Sequence, residues 1–247
     1  MSLRWSPIRW SPILMYHSIS NLENDTNMLG TSPERFEAQM LYLKRRNLRG
    51  VSMPELFRAR SAGDARGLVG LTFDDGYEDF LHTAVPVLER LGFSATVFVV
   101  VGMLGRENNW EHAVSPKPQL KLLEADHLRE ISEHGMDIGS HSMTHTNLLG
   151  LKPRLLDWEV NDSRRMLCEI LGKAVEAFCY PYGSLDDAAV RSVRRAGYAC
   201  ACGWRTQVDR DEYDLFRAPM ASRDDLLRLS AKLAVYPQYS RIASYFR

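Results

Sequence analysis

No run of about eighteen apolar residues occurs in the 247-residue chain, so it offers no segment of the length a helix needs to cross a bilayer. The first residues also lack the apolar core and small-residue cleavage site of a secretory leader. The chain as given therefore reads as soluble, and as cytoplasmic unless a leader has been removed from it. Neither sign of charge is in excess: 31 acidic residues balance 31 basic ones, with no long block of like charge. That argues against a nucleic-acid-binding surface or a polyanionic partner. Cysteine is scarce, and the four at positions 168, 179, 200 and 202 form no repeated Cys-x-x-Cys zinc pattern. A chain this long needs no disulfide staples, so they read as free thiols. No heptad or exposed apolar stripe stands out, which leaves the oligomeric state open.

What the chain does have is alternation. Short apolar runs at 13–19, 68–73, 94–101, 136–140, 176–180, 198–204 and 215–220 alternate with helical patterns, which predicts βα units with seven strands. The helices carry their own punctuation. Ser32-Pro33 opens one, and Ser52-x-x-Glu55 suggests a capping box. Gly135 and Gly197 act as stops. A long helix over 153–171 has Leu156, Val160, Ser163, Leu167 and Ile170 at helical spacing and ends at Gly172. Periodicity leaves a doubly wound sheet and a barrel equally open. The length suits one domain over 1–247, with 1–12 as an extension in which Arg4-Trp-Ser-Pro-Ile8 repeats at once as Arg9-Trp-Ser-Pro-Ile13.

Two segments carry chemistry. Thr72-Phe73-Asp74-Asp75-Gly76 ends an apolar run with paired carboxylates, and His141-Ser-Met-Thr-His145 follows well downstream. Adjacent carboxylates repel, so a place where both ionise needs a cation or another strong partner. A catalytic divalent metal takes about three His or carboxylate ligands and keeps a further position open. Asp75, His141 and His145 supply that set, and Asp74 is left to take a proton. The two carboxylates converge only where the chain leaves the extended form, a turn Gly76 permits. A spacing of four places both imidazoles on one side of a helical turn. Each segment alone reads as an ordinary solvated turn, and it is their joint occurrence that points to a site.

With Phe178-Cys179-Tyr180-Pro181-Tyr182-Gly183 as a third element, the chain resembles the polysaccharide deacetylase family, carbohydrate esterase family 4, also called the NodB-homology family. The opening Ile13-Leu14-Met15-Tyr16-His17-Ser18-Ile19 is similar to the branch of the poly-N-acetylglucosamine de-N-acetylases. The resemblance implies an irregular (β/α)7 barrel with catalytic groups at the ends of strands. It further implies a divalent metal, zinc before cobalt or nickel, on Asp75, His141 and His145, and Asp74 as general base. A backbone N–H near Tyr182, in a loop fixed by Pro181 and Gly183, would steady an oxyanion. The implied substrate is a carbohydrate that carries N-acetylhexosamine.

The chain departs from the family in two places. No histidine follows His145, where the family places its late proton donor, and the resembling branch points to His17 instead. Cys179 stands where many members carry an arginine that holds the catalytic aspartate, and Arg217 is the expected replacement. Trp110 and Trp204 are candidates for a sugar-stacking platform, Trp204 foremost. His82, His112, His127 and His134 receive no role. Two other readings remain at this level: a catalytically weakened carbohydrate-binding protein of the same fold, and a non-haem iron oxygenase with the same two-histidine, one-carboxylate ligands, against which the extra Asp74 argues.

Overall fold

Eight short parallel strands carry the fold in the computed structural model, which describes residues 11–23, 25, 28–110, 119–203 and 211–244, with backbone alone for 236–244. The strands are β1 (Ile13–Tyr16), β2 (Arg49–Val51), β3 (Leu68–Phe73), β4 (Thr96–Val99), β5 (Asp137–Ser140), β6 (Ala177–Cys179), β7 (Cys200–Cys202) and β8 (Ala218–Pro219). Between and after them run α1 (Pro33–Arg45), α2 (Met53–Ala62), α3 (Val85–Leu91), α4 (Ala125–Glu133), α5 (Pro153–Asp157), α6 (Ser163–Leu171), α7 (Asp187–Ala196) and α8 (Leu226–Ser244). Among the described residues no helix is long and apolar enough to cross a membrane.

The strand order is β7-β6-β5-β4-β3-β1-β8, with β2 paired to β3 off this path. An isolated parallel bridge from Cys202 to Leu215 ties β7 to the segment entering β8, which itself pairs with β1. The sheet thus curls round on itself, and the seven strands of the path form the irregular (β/α)7 barrel. The irregularity sits at β3. Its first half pairs with β2, from Arg49↔Leu68 to Val51↔Gly70, and its end pairs with β4 through Thr72↔Thr96 and Phe73↔Val97. β2 is the one strand that sequence periodicity did not predict. Three residues, one of them glycine, offer no alternation to read.

The period of two along each strand sorts residues between two cores. Ile13, Phe98, Ala177, Cys179, Cys200 and Cys202 belong to one cluster with Met53 and Leu56 of α2. Their neighbours Leu14, Val97, Val99, Phe178 and Ala201 belong to the larger cluster shared with the outer helices. The cysteines are free and, at the three strand positions, serve as small buried apolar groups beside Phe98. Close approach demands Gly139, where an added Cβ would lie 2.4 Å from the Phe98 ring.

Helix punctuation follows the sequence with one correction. Ser32 and Ser52 accept the N–H groups of Arg35 and Glu55 as caps, and Gly172 and Gly197 end α6 and α7 with φ of 64° and 85°. The predicted capping box at Ser52 forms only by half. The Glu55 carboxylate pairs with Arg49 and accepts from Ser94 Oγ, while the Ser52 N–H donates to Ser94 Oγ. The helix predicted over 153–171 is present, interrupted by a π turn at Trp158–Asp162 between α5 and α6.

Candidate metal centre and active site

Backbone ladders run up to the first residue of each candidate segment. The Asp74 N–H donates to Tyr16 O, the His141 N–H to Val99 O and the Tyr180 N–H to Cys202 O. His17 follows β1, Asp74 and Asp75 follow β3, His141 follows β5, and Pro181–Gly183 follows β6. Because the strands are parallel, all of these lie on one rim, the C-terminal rim where βα barrels place their chemistry.

The paired aspartates diverge through backbone conformation. Asp75 and Gly76 both take left-handed φ values, 73° and 75°. A Cβ at position 76 would stand 2.9 Å from Val99 Cγ1, so glycine is required twice over. Asp75 Oδ1 then lies 3.5 Å from His141 Nε2 and 3.2 Å from His145 Nε2, while Oδ2 accepts from Tyr77 Oη at 2.8 Å. The three ligand atoms lie within 4.8 Å of one another. His141 Nδ1 sits 2.8 Å from Cys179 O, a bond in which the ring N–H donates. That fixes the tautomer and leaves the Nε2 lone pair facing Asp75. Burial drives the His141 pKa down to about 4, against the raising effect of Asp74, so the ring is neutral at pH 7 and able to bind a cation. The donor set therefore fits a divalent metal.

The histidine pair does not sit on a helical turn as the spacing suggested. Residues 141–145 form a loop in which Ser142 and His145 adopt φ of 67° and 61°, and the His145 N–H donates to Ser142 Oγ. Among the described residues six non-glycines have positive φ, and four of them, Asp75, Ser142, His145 and Tyr182, surround this one spot. Such strain persists where surrounding structure enforces it, as at active sites.

Asp74 has a different environment. Arg217, fully buried, donates from Nη1 to Asp74 Oδ1 at 2.6 Å and from Nη2 to Oδ2 at 2.7 Å. The guanidinium lies over the Phe98 ring and also donates to Gly203 O, Thr72 Oγ1 and Cys179 Sγ. Arg217 precedes β8 rather than lying on the strand. Burial alone would raise the Asp74 carboxyl; the charge and hydrogen bonds of Arg217 outweigh it and hold the group below the usual carboxylate range. Cys179 lies beside the pair as an inert thiol, since burial pushes its pKa well up.

His17 directly follows β1, the strand paired with β3, and so stands on the same rim as the two carboxylates. Its loop is held by Asp79, which accepts from Ser18 Oγ at 2.5 Å and from the Ile19 N–H at 3.1 Å. Tyr182 has φ 58° inside the short Pro181–Gly183 turn, and its ring meets His145 edge to face at 4.6 Å. Burial, then Asp75, push its phenol up to about 12. Trp110 does not form an open platform: it is buried and stacks on His145, centroids 4.4 Å apart. Trp204 and His112 lie outside the described residues. Sequence reasoning passed over Tyr77 and Asp79, whose one available signal was their place directly after Asp-Asp-Gly. Away from the site, a further grouping of Glu78, His82 and His127 lies near the surface. There His127 Nδ1 accepts the Glu124 N–H, so in the neutral ring the other nitrogen keeps its proton.

Comparison with known proteins places this geometry in a family. The polysaccharide deacetylase family model matches residues 62–201. The chain is 29% identical over 189 residues to a Bacillus subtilis protein named as a polysaccharide deacetylase, YxkH, covering 76% of this chain and 62% of that one. It is 26% identical over 170 residues to the poly-beta-1,6-N-acetyl-D-glucosamine N-deacetylase of Staphylococcus aureus, covering 67% and 58%. The chain thus spans about three fifths of the length of these relatives. The Streptococcus pyogenes deacetylase PplD shares the fold with a TM-score of 0.76 at 24% identity, covering 90% of this chain and 97% of that one. The matched segment takes in the aspartate pair, both histidines and the Pro-Tyr-Gly turn, and it exceeds half of the sequence: the chain belongs to the polysaccharide deacetylase family.

Proposed function

We propose that the protein is a metal-dependent hydrolase that removes N-acetyl groups from a polysaccharide or glycoconjugate containing N-acetylhexosamine. The observation that carries this reading is the split between neighbouring carboxylates: Asp75 faces two imidazoles, and Asp74 is locked to Arg217. A divalent cation on Asp75, His141 and His145, a mixed nitrogen and oxygen set that accepts zinc, cobalt or nickel, would supply polarisation of an amide carbonyl and acidification of a water. Asp74 accepts that water's proton. Its low pKa keeps it ionised at neutral pH but makes it a weak base, suited to a water already acidified.

The remaining needs of amide hydrolysis fall to other residues on the rim. His17 gives a proton to the departing sugar amine, and Arg217 keeps both oxygens of Asp74 in place. A backbone N–H at the Tyr182 turn, held by Pro181 and Gly183, offers a preorganised donor to the oxyanion of the tetrahedral intermediate, a contribution of about 3 kcal/mol. The sugar-binding alternative drew on the missing family arginine and the missing late histidine; the guanidinium of Arg217 on Asp74 answers the first of these. The substrate named for the Staphylococcus aureus relative makes β-1,6-linked N-acetylglucosamine oligomers the first to try. The test is acetate release from β-1,6- and β-1,4-linked oligomers by protein stripped of metal and reloaded with zinc, cobalt or nickel. Metal-dependent release supports the reading, and tight metal binding without release from any oligomer counts for the sugar-binding alternative.

A further inference from the structure

Glu159 is a carboxylate in the interior, 1% exposed, on the π turn between α5 and α6. It lies in no motif that drew attention to the site, yet its carboxylate reaches the loop carrying both histidines. Oε2 accepts the N–H groups of Met143 at 2.9 Å and Thr144 at 3.0 Å, and Oε1 accepts from Thr144 Oγ1 at 2.6 Å. Ser163, the first residue of α6 directly after the turn, grips the loop's other end, where Ser140 Oγ donates to Ser163 Oγ at 2.9 Å, directly before His141. Ser163 in turn bonds the carbonyls of Glu159 and Val160. From the opposite side the N–H groups of Val101 and Gly102 donate to the carbonyls of Ser142 and Met143.

A loop with two left-handed non-glycine residues does not hold such a shape alone, because each such residue carries a conformational cost. Three donors on one buried carboxylate form a charge-assisted clamp that can offset that cost. Glu159, Val160 and Ser163 are all buried and share one face of this helical stretch, and π turns of this kind recur at functional sites.

Resting on the metal-centre reading above, we infer that Glu159 is a positioning residue that sets metal affinity by holding His141 and His145 in their strained loop, without touching the ion or the substrate. The experiment is a zinc competition titration, with the visible spectrum of the cobalt form, on the full chain and four variants. Glu159→Ala should weaken zinc binding about 10- to 100-fold, the range found when partners of metal ligands are lost, and alter the cobalt spectrum. Glu159→Gln retains an acceptor for the two N–H groups and should restore most of the affinity. Leu167→Ala empties a core position of the same helical stretch; it should lower the melting temperature and leave zinc affinity unchanged. Should Glu159→Ala not fold, Thr144→Val carries the test and should weaken binding by a smaller factor. Wild-type affinity in Glu159→Ala, or in Thr144→Val where it stands in, overturns the inference, as does an equal loss in Leu167→Ala. If the unaltered chain takes up none of zinc, cobalt or nickel, the metal-centre reading itself falls; if it binds them and the variants match it, only the role of Glu159 falls.

Discussion

Asp74 and Asp75 share a peptide bond and have different partners, and three residue-scale predictions follow from the groups around them. Arg217→Met should cost about 3–5 kcal/mol of stability, because it leaves the Asp74 charge buried without its cation. The double variant with Asp74→Asn should recover part of that loss in urea unfolding, and strict additivity of the two would deny the coupling. His141 gives a pH signature. Its pKa is about 4 in the folded chain against 6.5 for an unperturbed imidazole, so between these limits the unfolded chain binds the extra proton. Stability from this group is complete above pH 6.5 and is lost as pH falls towards 4, by about 3 kcal/mol in all. Chelator-treated protein should show the decline in melting temperature, and His141→Gln should flatten it in that window. His17→Ala should keep its metal and lose about two to four orders of magnitude in rate; unchanged acetate release would remove His17 from the mechanism.

At the scale of elements, what the sequence revealed depended on how local the cause was. The caps at Ser32 and Ser52, the stops at Gly172 and Gly197 and the stripe through Leu156, Val160, Ser163 and Leu167 are set by neighbours in the chain, and they were legible. The π turn was not, because the buried positions 156, 160, 163 and 167 keep ordinary helical spacing across it. Glu159 did carry a signal: it is three residues after Leu156 and four before Ser163, a carboxylate on a buried stripe. The His-x-x-x-His spacing misled, since four residues also bring two rings together through a strained loop. The turn after β3 is the sharpest element-scale test. Gly76→Ala meets both the left-handed φ and Val99, and should destabilise the fold by about 1–3 kcal/mol. A melting temperature equal to that of the original chain would contradict the tight turn.

For the whole molecule, seven apolar runs were enough to give the strands of the barrel path, while the short β2 had no pattern of its own and depends on β3 for its pairing. Arg217 illustrates a non-local cause: it lies 143 positions from Asp74 in the chain, and the order β3-β1-β8 lets its long side chain reach past β1 to the end of β3. The central claim is that strand order and the turn after β3 give two adjacent carboxylates separate tasks, and it is tested most directly by measuring bound zinc and acetate release together in the original chain, Asp74→Asn and Asp75→Ala. The account predicts that Asp74→Asn keeps its zinc and loses release by at least about 10²-fold, while Asp75→Ala loses both. Loss of zinc from Asp74→Asn, or release from it at the original rate, would contradict the division of labour.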